Sequence, residues 1–485
     1  MHCHQQTLIQ YMKEWKKFKF VHFLFSSFLL GILIYIEPKG IERQTWLSIA
    51  SASFIISLWM TEALPIGITS LLPLLLFPLL GLNDMKSVAH NYTLPIIFLF
   101  LGGFMIAISL EKWNLHKRIA LSILRFTGTK PNQIILGFMC TTALLSMWIS
   151  NTATAVMMLP IGLSIIDLTN YEKSTSSFAT ALLLAIAYAA NIGGMATLIG
   201  TPPNLVLVGI FEEQFQYDFN FLEWFSIGFP ISILLLFTCY LLLTKVLFSI
   251  PPTSLEASKS IIEKELQRLG PLTKAERLVL IIFSLTASAW IFKNQINSLL
   301  PVSISNSQIA LMGASLLFIT PVDNKKNEFV LHWDDTKNLP WHIILLFGGG
   351  LALAASLQKN GVLELIGSQF INFDASNVFL LVILVTIISL FLTEFMSNVA
   401  LVTVLIPIIC GLAIQFSISP ILLCMPVTFA ASCAFMMPIS TPPNAVVFAS
   451  KRIKIKEMIR VGFILNLCAV VVISVACFWL VPAFL

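Results

Sequence analysis

The sequence contains very little charge. Of its 485 residues, only 11% are Asp, Glu, Lys or Arg, whereas 57% are hydrophobic. A soluble globular domain carries about 25% charged residues. The longest polar stretch, at about residues 249–277, is too short to fold around a sizeable core of its own. The composition therefore excludes a soluble protein and predicts a chain whose main solvent is lipid.

Several motifs of catalytic and metal sites are also missing. The eight cysteines are scattered without a CxxC pair, which indicates small core residues rather than a disulfide framework or a metal site. The sequence has no HExxH, no GxSxG and no pair of Asp residues inside an apolar segment. These absences argue against an enzyme embedded in the membrane. The apolar run after the basic N-terminus has no small-residue cleavage site, so we expect no cleaved signal peptide.

Long apolar runs predict an all-α polytopic membrane protein. A spanning helix needs about 20 apolar residues, but the charge-free run 174–211 would be about 57 Å long as one straight helix. We therefore predict interrupted spans at 178–211 and 421–450, and helical hairpins with polar tips at 131–168 and 377–416. Two thin full spans in place of each hairpin remain an alternative. Nine single spans are predicted near 18–36, 44–61, 64–80, 92–110, 225–248, 278–293, 301–320, 341–357 and 461–483.

The distribution of positive charge gives the orientation of this layout. If the N-terminus is cytoplasmic and the C-terminus lies outside, 24 of the 29 Lys and Arg residues fall in cytoplasmic segments. Cytoplasmic loops of membrane proteins carry such an excess. We therefore predict a multi-pass protein of the cell (inner) membrane, with no nucleic-acid partner. The cytoplasmic segments are 1–19, 111–130, 169–177, 245–277, 321–340 and 451–460.

The chain contains an internal repeat. Residues 102–112 match residues 349–359, and Ser150-Asn151 matches Ser397-Asn398, both at an offset of 247. The motif TPPN at 201–204 recurs at 441–444. Five predicted spans separate the two hairpins, and an odd number inverts the second copy. Inverted repeats with discontinuous helices are typical of secondary transporters, whereas a duplication retained only for packing does not require paired polar breaks. Alternating access in such a repeat also argues against a channel.

The paired polar breaks suit ion and anion binding. A helix broken within a bilayer frees backbone groups that lipid cannot satisfy, and a Pro-Pro pair is a firm stop. The N-terminus of the restarted helix favours an anion, and free carbonyls favour a hard cation. No Lys or Arg lies in either hairpin core or either TPPN break. Bound sodium would supply the missing positive charge. We expect sodium rather than protons because these segments contain no paired Asp/Glu/His relay.

Glu394 is the exception to this uncharged pattern. It precedes Ser397 and occupies the position of the apolar Met147 in the first copy. One interpretation is a proton or sodium site. We favour the other, a helix residue that reaches a buried partner or the wet surface, because its repeat counterpart is apolar.

These motifs resemble the divalent-anion:sodium symporter family, which includes sodium-coupled dicarboxylate and citrate carriers. The resemblance covers nearly the full chain. It is carried by the following segments: Ser150-Asn151-Thr152-Ala153-Thr154, Ile199-Gly200-Thr201-Pro202-Pro203-Asn204, Thr393-Glu394-Phe395-Met396-Ser397-Asn398, Ser440-Thr441-Pro442-Pro443-Asn444 and Thr61-Glu62-Ala63-Leu64-Pro65.

The resemblance implies a homodimer in which a mobile transport domain moves against a scaffold as an elevator. It implies a first sodium site near Ser146, Ser150, Asn151 and Gly200, and a second near Thr393, Met396, Asn398 and Ser440. Substrate carboxylates would contact Asn151, Thr152, Thr201, Ser397, Asn398 and Thr441. The sequence departs from the family pattern at Val399, where many dicarboxylate carriers have Thr and some citrate-preferring relatives have Val.

We expect sodium-coupled symport of a di- or tricarboxylate such as succinate, malate, fumarate or citrate. Anion exchange, or uptake of sulfate or another divalent anion on the same fold, is the alternative. The predicted division is scaffold helices at 1–124 and 251–375, and transport halves at 125–250 and 376–485.

Overall fold

The computed structural model describes residues 2–168, 177–250, 256–323, 325, 327–369 and 377–485. In these residues the fold is helical apart from two short strands. Six of the described helices are long and apolar enough to cross a membrane, and a seventh candidate is a pair bent by 79°, Lys274–Ile291 with Lys293–Leu299. The other apolar helices are shorter, because several of the predicted spans are broken.

The described part of the first half of the chain forms twelve α-helices. The last of them ends in a π-helical turn at Leu242–Val246. The helices are α1 (His2–Tyr35), α2 (Arg43–Thr61), α3 (Ile66–Thr69), α4 (Leu72–Leu79), α5 (Met85–His90), α6 (Pro95–Lys112), α7 (Leu115–Arg125), α8 (Pro131–Ser146), α9 (Asn151–Leu168), α10 (Ser177–Gly194), α11 (Pro202–Phe215) and α12 (Phe221–Leu241).

The described part of the second half forms eleven α-helices, a 3₁₀ helix at Trp333–Asn338, and the antiparallel strands β1 (Pro321–Asp323) and β2 (Glu328–Phe329). The helices are α13 (Glu256–Arg268), α14 (Lys274–Ile291), α15 (Lys293–Leu299), α16 (Asn306–Ile319), α17 (Trp341–Lys359), α18 (Val362–Gln369), α19 (Val378–Leu392), α20 (Asn398–Gln415), α21 (Pro420–Ala431), α22 (Pro442–Ala449) and α23 (Ile455–Phe484).

Each predicted span and hairpin coincides with described helices, but some details differ. The span predicted at 64–80 is divided into α3 and α4. The polar stretch 249–277 contains the helix α13. The expected all-α chain also contains the small two-stranded sheet, which closes the loop between α16 and α17.

The helices α8 and α9 fold back on each other as a hairpin. A Cβ placed on Gly162 of α9 would lie 3.6 Å from Phe138 of α8 and 3.0 Å from Ile186 of α10. Phe138 and Gly162 are 24 residues apart, which in one straight helix would separate them by about 36 Å. The chain therefore reverses at residues 147–150.

The helices α19 and α20 form a second hairpin. The Ser389 hydroxyl of α19 donates to Val427 O at 2.8 Å, and the Thr393 hydroxyl, just after α19, lies 2.7 Å from Ala431 O. Because both pairs advance by four residues along α19 and α21, these two helices run in the same direction. The helix α20 runs opposite to α21, because they are joined by a short turn and Cys410 Sγ lies 3.5 Å from Cys424 Sγ. Hence α19 and α20 are antiparallel.

The two predicted transport halves pack into one another. The Tyr188 hydroxyl of α10 donates to Phe435 O at 2.9 Å, and the rings of Trp224 and Phe429 lie 5.5 Å apart. At one end, Arg452 pairs with Asp167 at 2.8 Å. These contacts join residues far apart in sequence, so both copies of the repeat build one structure around the breaks.

Ion pairs join loops that the charge distribution predicts to lie on the same side of the membrane. The end of α6 and the start of α7 contact the 3₁₀ helix, α13 and the start of α14. The pairs are Lys112–Asp335 at 2.7 Å, Lys117–Glu265 at 2.9 Å and Arg118–Glu276 at 2.6 Å. At the other end of the helices, Lys293 pairs with Asp218 at 2.9 Å, which joins two loops predicted outside.

The repeated glycine pairs occupy equivalent positions in α6 and α17. A Cβ on Gly102 would lie 2.6 Å from the backbone of Ala310 in α16, and a Cβ on Gly349 would lie 2.4 Å from Ser70 O. Any side chain would force these backbones apart, so glycine is required at both positions. The match at offset 247 therefore has a packing cause as well as an evolutionary one.

Candidate functional site

The tip of the first hairpin contacts the break between α10 and α11. The Ser146 hydroxyl, at the end of α8, donates to Asn151 Oδ1 at 2.6 Å and lies 2.7 Å from Ala190 O. A Cβ on Gly194 would lie 2.6 Å from Asn151 Oδ1 and 3.1 Å from Thr201 Cβ. The side chains of Ser146, Asn151 and Thr201 and the carbonyl of Ala190 thus lie close together, where the hairpin tip meets the interrupted helix. We call Ser146, Asn151, Gly194 and Thr201, with Ala190 O, the first centre.

The second hairpin repeats this geometry. The Thr393 hydroxyl donates to Asn398 Oδ1 at 2.8 Å and lies 2.7 Å from Ala431 O. Each distance differs by no more than 0.2 Å from its counterpart in the first centre. We call Thr393 and Asn398, with Ala431 O, the second centre. Ser440 and Thr441 lie at the break between α21 and α22, where the Ser440 hydroxyl donates to Met437 O at 2.7 Å.

The asparagines of the two TPPN motifs close the two breaks. Asn204 Nδ2 donates to Gly194 O at 3.1 Å and Thr197 O at 2.8 Å. Asn444 Nδ2 donates in the same way to Ala434 O and Met437 O, at 2.9 and 3.1 Å. Each amide therefore satisfies two carbonyls that the broken helix leaves free.

The amide oxygens of these asparagines are buried and have no hydrogen-bond partner among the described residues. The same is true of Asn466 Oδ1 and the Ser432 hydroxyl. Buried polar atoms are nearly always satisfied, and each exception needs an explanation such as water or an ion. Asn191 links the two copies of the repeat, because its Nδ2 donates a hydrogen bond to Thr441 Oγ1 at 3.1 Å.

Glu394 reaches buried partners, as we favoured from its sequence position. It is 1% exposed. Oε1 accepts from the backbone N–H groups of Phe435 and Met436 at 2.8 and 2.9 Å, and Oε2 from that of Met437 at 3.1 Å. In the first copy the corresponding contact is neutral, because the Thr197 hydroxyl donates to Met147 O at 2.5 Å.

Other predicted site residues make fewer contacts with the centres. Ser150 is exposed, and its hydroxyl accepts from Ala153 N at 3.2 Å, so it caps its own helix. Gly200 packs beside Gly194, since a Cβ on Gly200 would lie 2.5 Å from Gly194 O. Within the described residues, no side-chain hydrogen bond links Thr152, Met396 or Ser397 to either centre. These three lie half-buried at the hairpin tips.

The centres offer neutral oxygen atoms and helix N-termini. Hydroxyl, amide and carbonyl oxygens are the ligands of hard cations, and they converge in both centres. The helices α9, α11, α20 and α22 all begin at the breaks. Helix N-termini attract anions, so a cation and a carboxylate both find suitable groups here. The part of the chain that the structure describes holds no cluster of three or more His, Cys, Asp or Glu able to bind a metal.

A family model described as the sodium:sulfate symporter transmembrane region matches residues 16–484. The chain is also similar to proteins named sodium-dependent dicarboxylate transporter SdcS. One, from Staphylococcus saprophyticus, is 40% identical over 465 residues, covering 94% of this chain and 89% of the relative. Another, from Staphylococcus aureus strain USA300, is 39% identical over the same shares of both chains.

Two solved structures share the fold at low sequence identity. The YdaH transporter of Alcanivorax borkumensis superposes with a TM-score of 0.58 at 12% identity, over 82% of this chain and 88% of that one. MtrF of Neisseria gonorrhoeae, described with a class of antimetabolite efflux pumps, gives 0.57 at 14% identity, over 81% and 83%. Both support a helical polytopic transporter fold.

Replacing Asn151 or Asn398 by Ala should weaken substrate binding at least tenfold. Each change would remove an expected cation ligand and an expected carboxylate donor, and one buried hydrogen bond to a charged group contributes about 1.5–3 kcal/mol. The measurement is the dissociation constant of labelled succinate for purified protein at fixed sodium. Asn360→Ala serves as the control, because Asn360 lies outside both centres and its side chain donates to Ser356 O. Normal binding by folded Asn151 and Asn398 variants would refute the site assignment.

Proposed function

The chain belongs to the divalent-anion:sodium symporter family of multi-pass membrane transporters, and we propose that it couples sodium entry to uptake of a small di- or tricarboxylate. The observation that carries the proposal is the pair of matched oxygen centres at the two hairpin tips. The names of the similar SdcS proteins support both the sodium and the dicarboxylate.

Sodium has a physical role at these centres. The predicted sodium ligands are Ser146, Ser150, Asn151 and Gly200 in the first copy, and Thr393, Met396, Asn398 and Ser440 in the second. Hydroxyl and amide oxygens dominate both sets, and neither set contains a fixed cation. A dianion entering between the centres would therefore be repelled by oxygen atoms unless cations were bound first. This dependence is the proposed origin of coupling.

The substrate carboxylates would bind at the starts of the interrupted helices. Asn151 and Thr152 begin α9, Ser397 and Asn398 stand at the start of α20, and the hydroxyls of Thr201 and Thr441 precede the proline pairs. Backbone N–H groups and the positive helix ends would supply donors to the carboxylates. Two such regions facing one another suit an anion with a carboxylate at each end.

The two copies are buried unequally, which supports an inverted repeat that works by alternating access. Thr403 of α20 is 1% exposed and lies against Gly350 of the predicted scaffold. Its counterpart on α9, Val156, is 52% exposed. An elevator movement would exchange these environments, so that α9 packs against the scaffold and α20 opens. We propose that hairpins 131–168 and 377–416 are re-entrant and move together.

The proposed division places scaffold helices at 1–124 and 251–375 and the moving halves at 125–250 and 376–485. The scaffold presents large apolar side chains, such as Leu75, Leu79 and Met312, to its surroundings. These face lipid or a second copy, and we propose a homodimer. We place the protein in the cell (inner) membrane with its N-terminus inside and its C-terminus outside, from the distribution of Lys and Arg.

Reconstitution into liposomes would test the coupling. We expect uptake of labelled succinate or citrate to require an inward sodium gradient and to rise sigmoidally with sodium, because more than one cation assembles the site. Equal uptake in choline and sodium buffers would contradict the proposal. Sulfate uptake in place of carboxylate uptake, or uptake that depends on counter-substrate inside the liposome, would favour the alternatives of a sulfate carrier or an exchanger.

Val399→Thr should shift substrate preference toward C4-dicarboxylates. Val399 follows Asn398 and is largely buried, and the two side chains are close in volume. The added hydroxyl can donate one hydrogen bond, worth about 1 kcal/mol, and polar contacts discriminate more strongly than apolar walls. The measurement is competition of citrate against labelled succinate at fixed sodium and pH. An unchanged inhibition ratio would show that residue 399 does not face the substrate.

A further inference from the structure

Two glutamates are buried in the described part of the chain, and they differ in how their charge is balanced. Glu276 is 3% exposed and pairs with Arg118. Glu394 is 1% exposed and forms no ion pair with any described residue. An isolated buried carboxylate is expensive unless it is hydrogen-bonded or paired. Hydrogen bonds stabilise Glu394, but they leave its formal charge uncompensated.

The fourth donor to Glu394 comes from α23, whose described side chains form no hydrogen bond with Thr393 or Asn398. Asn466 Nδ2 donates to Glu394 Oε1 at 2.8 Å. The amide therefore faces the carboxylate with its NH₂ end and turns its oxygen away from it. Asn466 is 0% exposed, and its Oδ1 has no partner among the described residues. An unsatisfied oxygen thus lies within a few ångströms of an unbalanced negative charge.

The first copy lacks this arrangement. Gly228 of α12 and Gly462 of α23 each pack against a carbonyl of a break, Met195 O and Phe435 O respectively. Four residues further on stand Ser232 and Asn466. The Ser232 hydroxyl donates to Ile192 O at 3.0 Å, so it is satisfied. The counterpart of Glu394 is Met147. The charge and the orphaned oxygen therefore occur together only in the second copy.

We propose that Glu394 and Asn466 form a third site, separate from the two centres, that binds a monovalent hard cation. The Glu394 carboxylate would supply the charge, Asn466 Oδ1 a neutral ligand, and water the remaining positions. This inference rests on the proposed sodium-coupled function and adds a further sodium ion to it. The three backbone N–H groups keep the carboxylate in place whether or not the cation is bound.

Charge balance gives this site a role in transport. With two sodium ions and a dianion bound, the moving halves would still carry the negative charge of Glu394 through a low-dielectric region. A cation beside Glu394 neutralises that charge, which lowers the cost of moving the loaded site within the membrane. Occupancy of the third site would therefore favour movement of the fully loaded state over partly loaded ones.

The test is equilibrium binding of radioactive sodium to purified full-length protein without substrate. We expect the Glu394→Gln and Asn466→Leu variants each to bind one sodium ion fewer per chain than the wild type, or to bind that ion at least tenfold more weakly. The stabilisation of the protein by sodium, measured as a rise in Tm, should fall in parallel. Ser232→Ala is the matched control from the first copy and should keep the wild-type count.

The outcomes separate this site from the two centres and from the proposed function. Wild-type protein that binds no sodium would overturn both the coupling and the third site. Sodium binding that is unchanged in both variants would overturn the third site alone. Thr393→Val should remove a different ion, so the double variant with Glu394→Gln should lose two. Loss of only one would assign Glu394 to the second centre. If Glu394→Gln does not fold, Asn466→Leu still decides the matter.

Discussion

The architecture depends on satisfying backbone groups where helices break inside an apolar environment. Lipid offers no hydrogen bonds, so a freed carbonyl must find a partner within the protein. Asn204 and Asn444 supply those partners, each bridging two carbonyls of its own break. The hairpin tips then pack against the closed breaks through Ser146 and Thr393. Without the two amides, neither break would hold the shape on which its centre depends.

The duplication gives the two centres almost the same geometry but different electrostatics. The distances of the hydroxyl–amide–carbonyl contacts agree within 0.2 Å. The contacts that join each hairpin to its break differ. A neutral hydroxyl of Thr197 holds the first break, and the Glu394 carboxylate holds the second. Two centres with similar geometry but different neighbouring charge can bind cations of one kind with unequal affinity. This difference gives a physical reason for an order of binding.

Much of the fold could be predicted from the sequence, because apolar length, Pro-Pro pairs and repeated motifs act locally. These signals place the hairpins and the breaks. Residues 169–176 and 370–376 of the predicted layout lie outside the described residues. The span predicted near 92–110 ends two residues later, at Lys112, because of a local backbone conformation. Asn114 adopts a left-handed conformation with φ 55°, so α6 ends at Lys112 and α7 begins at Leu115. The roles of Gly194 and Asn466 could not be predicted, because they depend on contacts between distant segments. A signal for Gly194 existed in the GG pair before the break, but nothing local in the sequence marks Asn466.

We propose that both hairpin tips hold a coupling cation at matched positions. A high-resolution cryo-EM map of the protein with sodium and succinate, compared with one in choline without substrate, tests it most directly. We expect sodium-dependent density beside Ser146 and Asn151 and again beside Thr393 and Asn398. Centres that keep only their internal hydrogen bonds in sodium, or density at one tip alone, would contradict it.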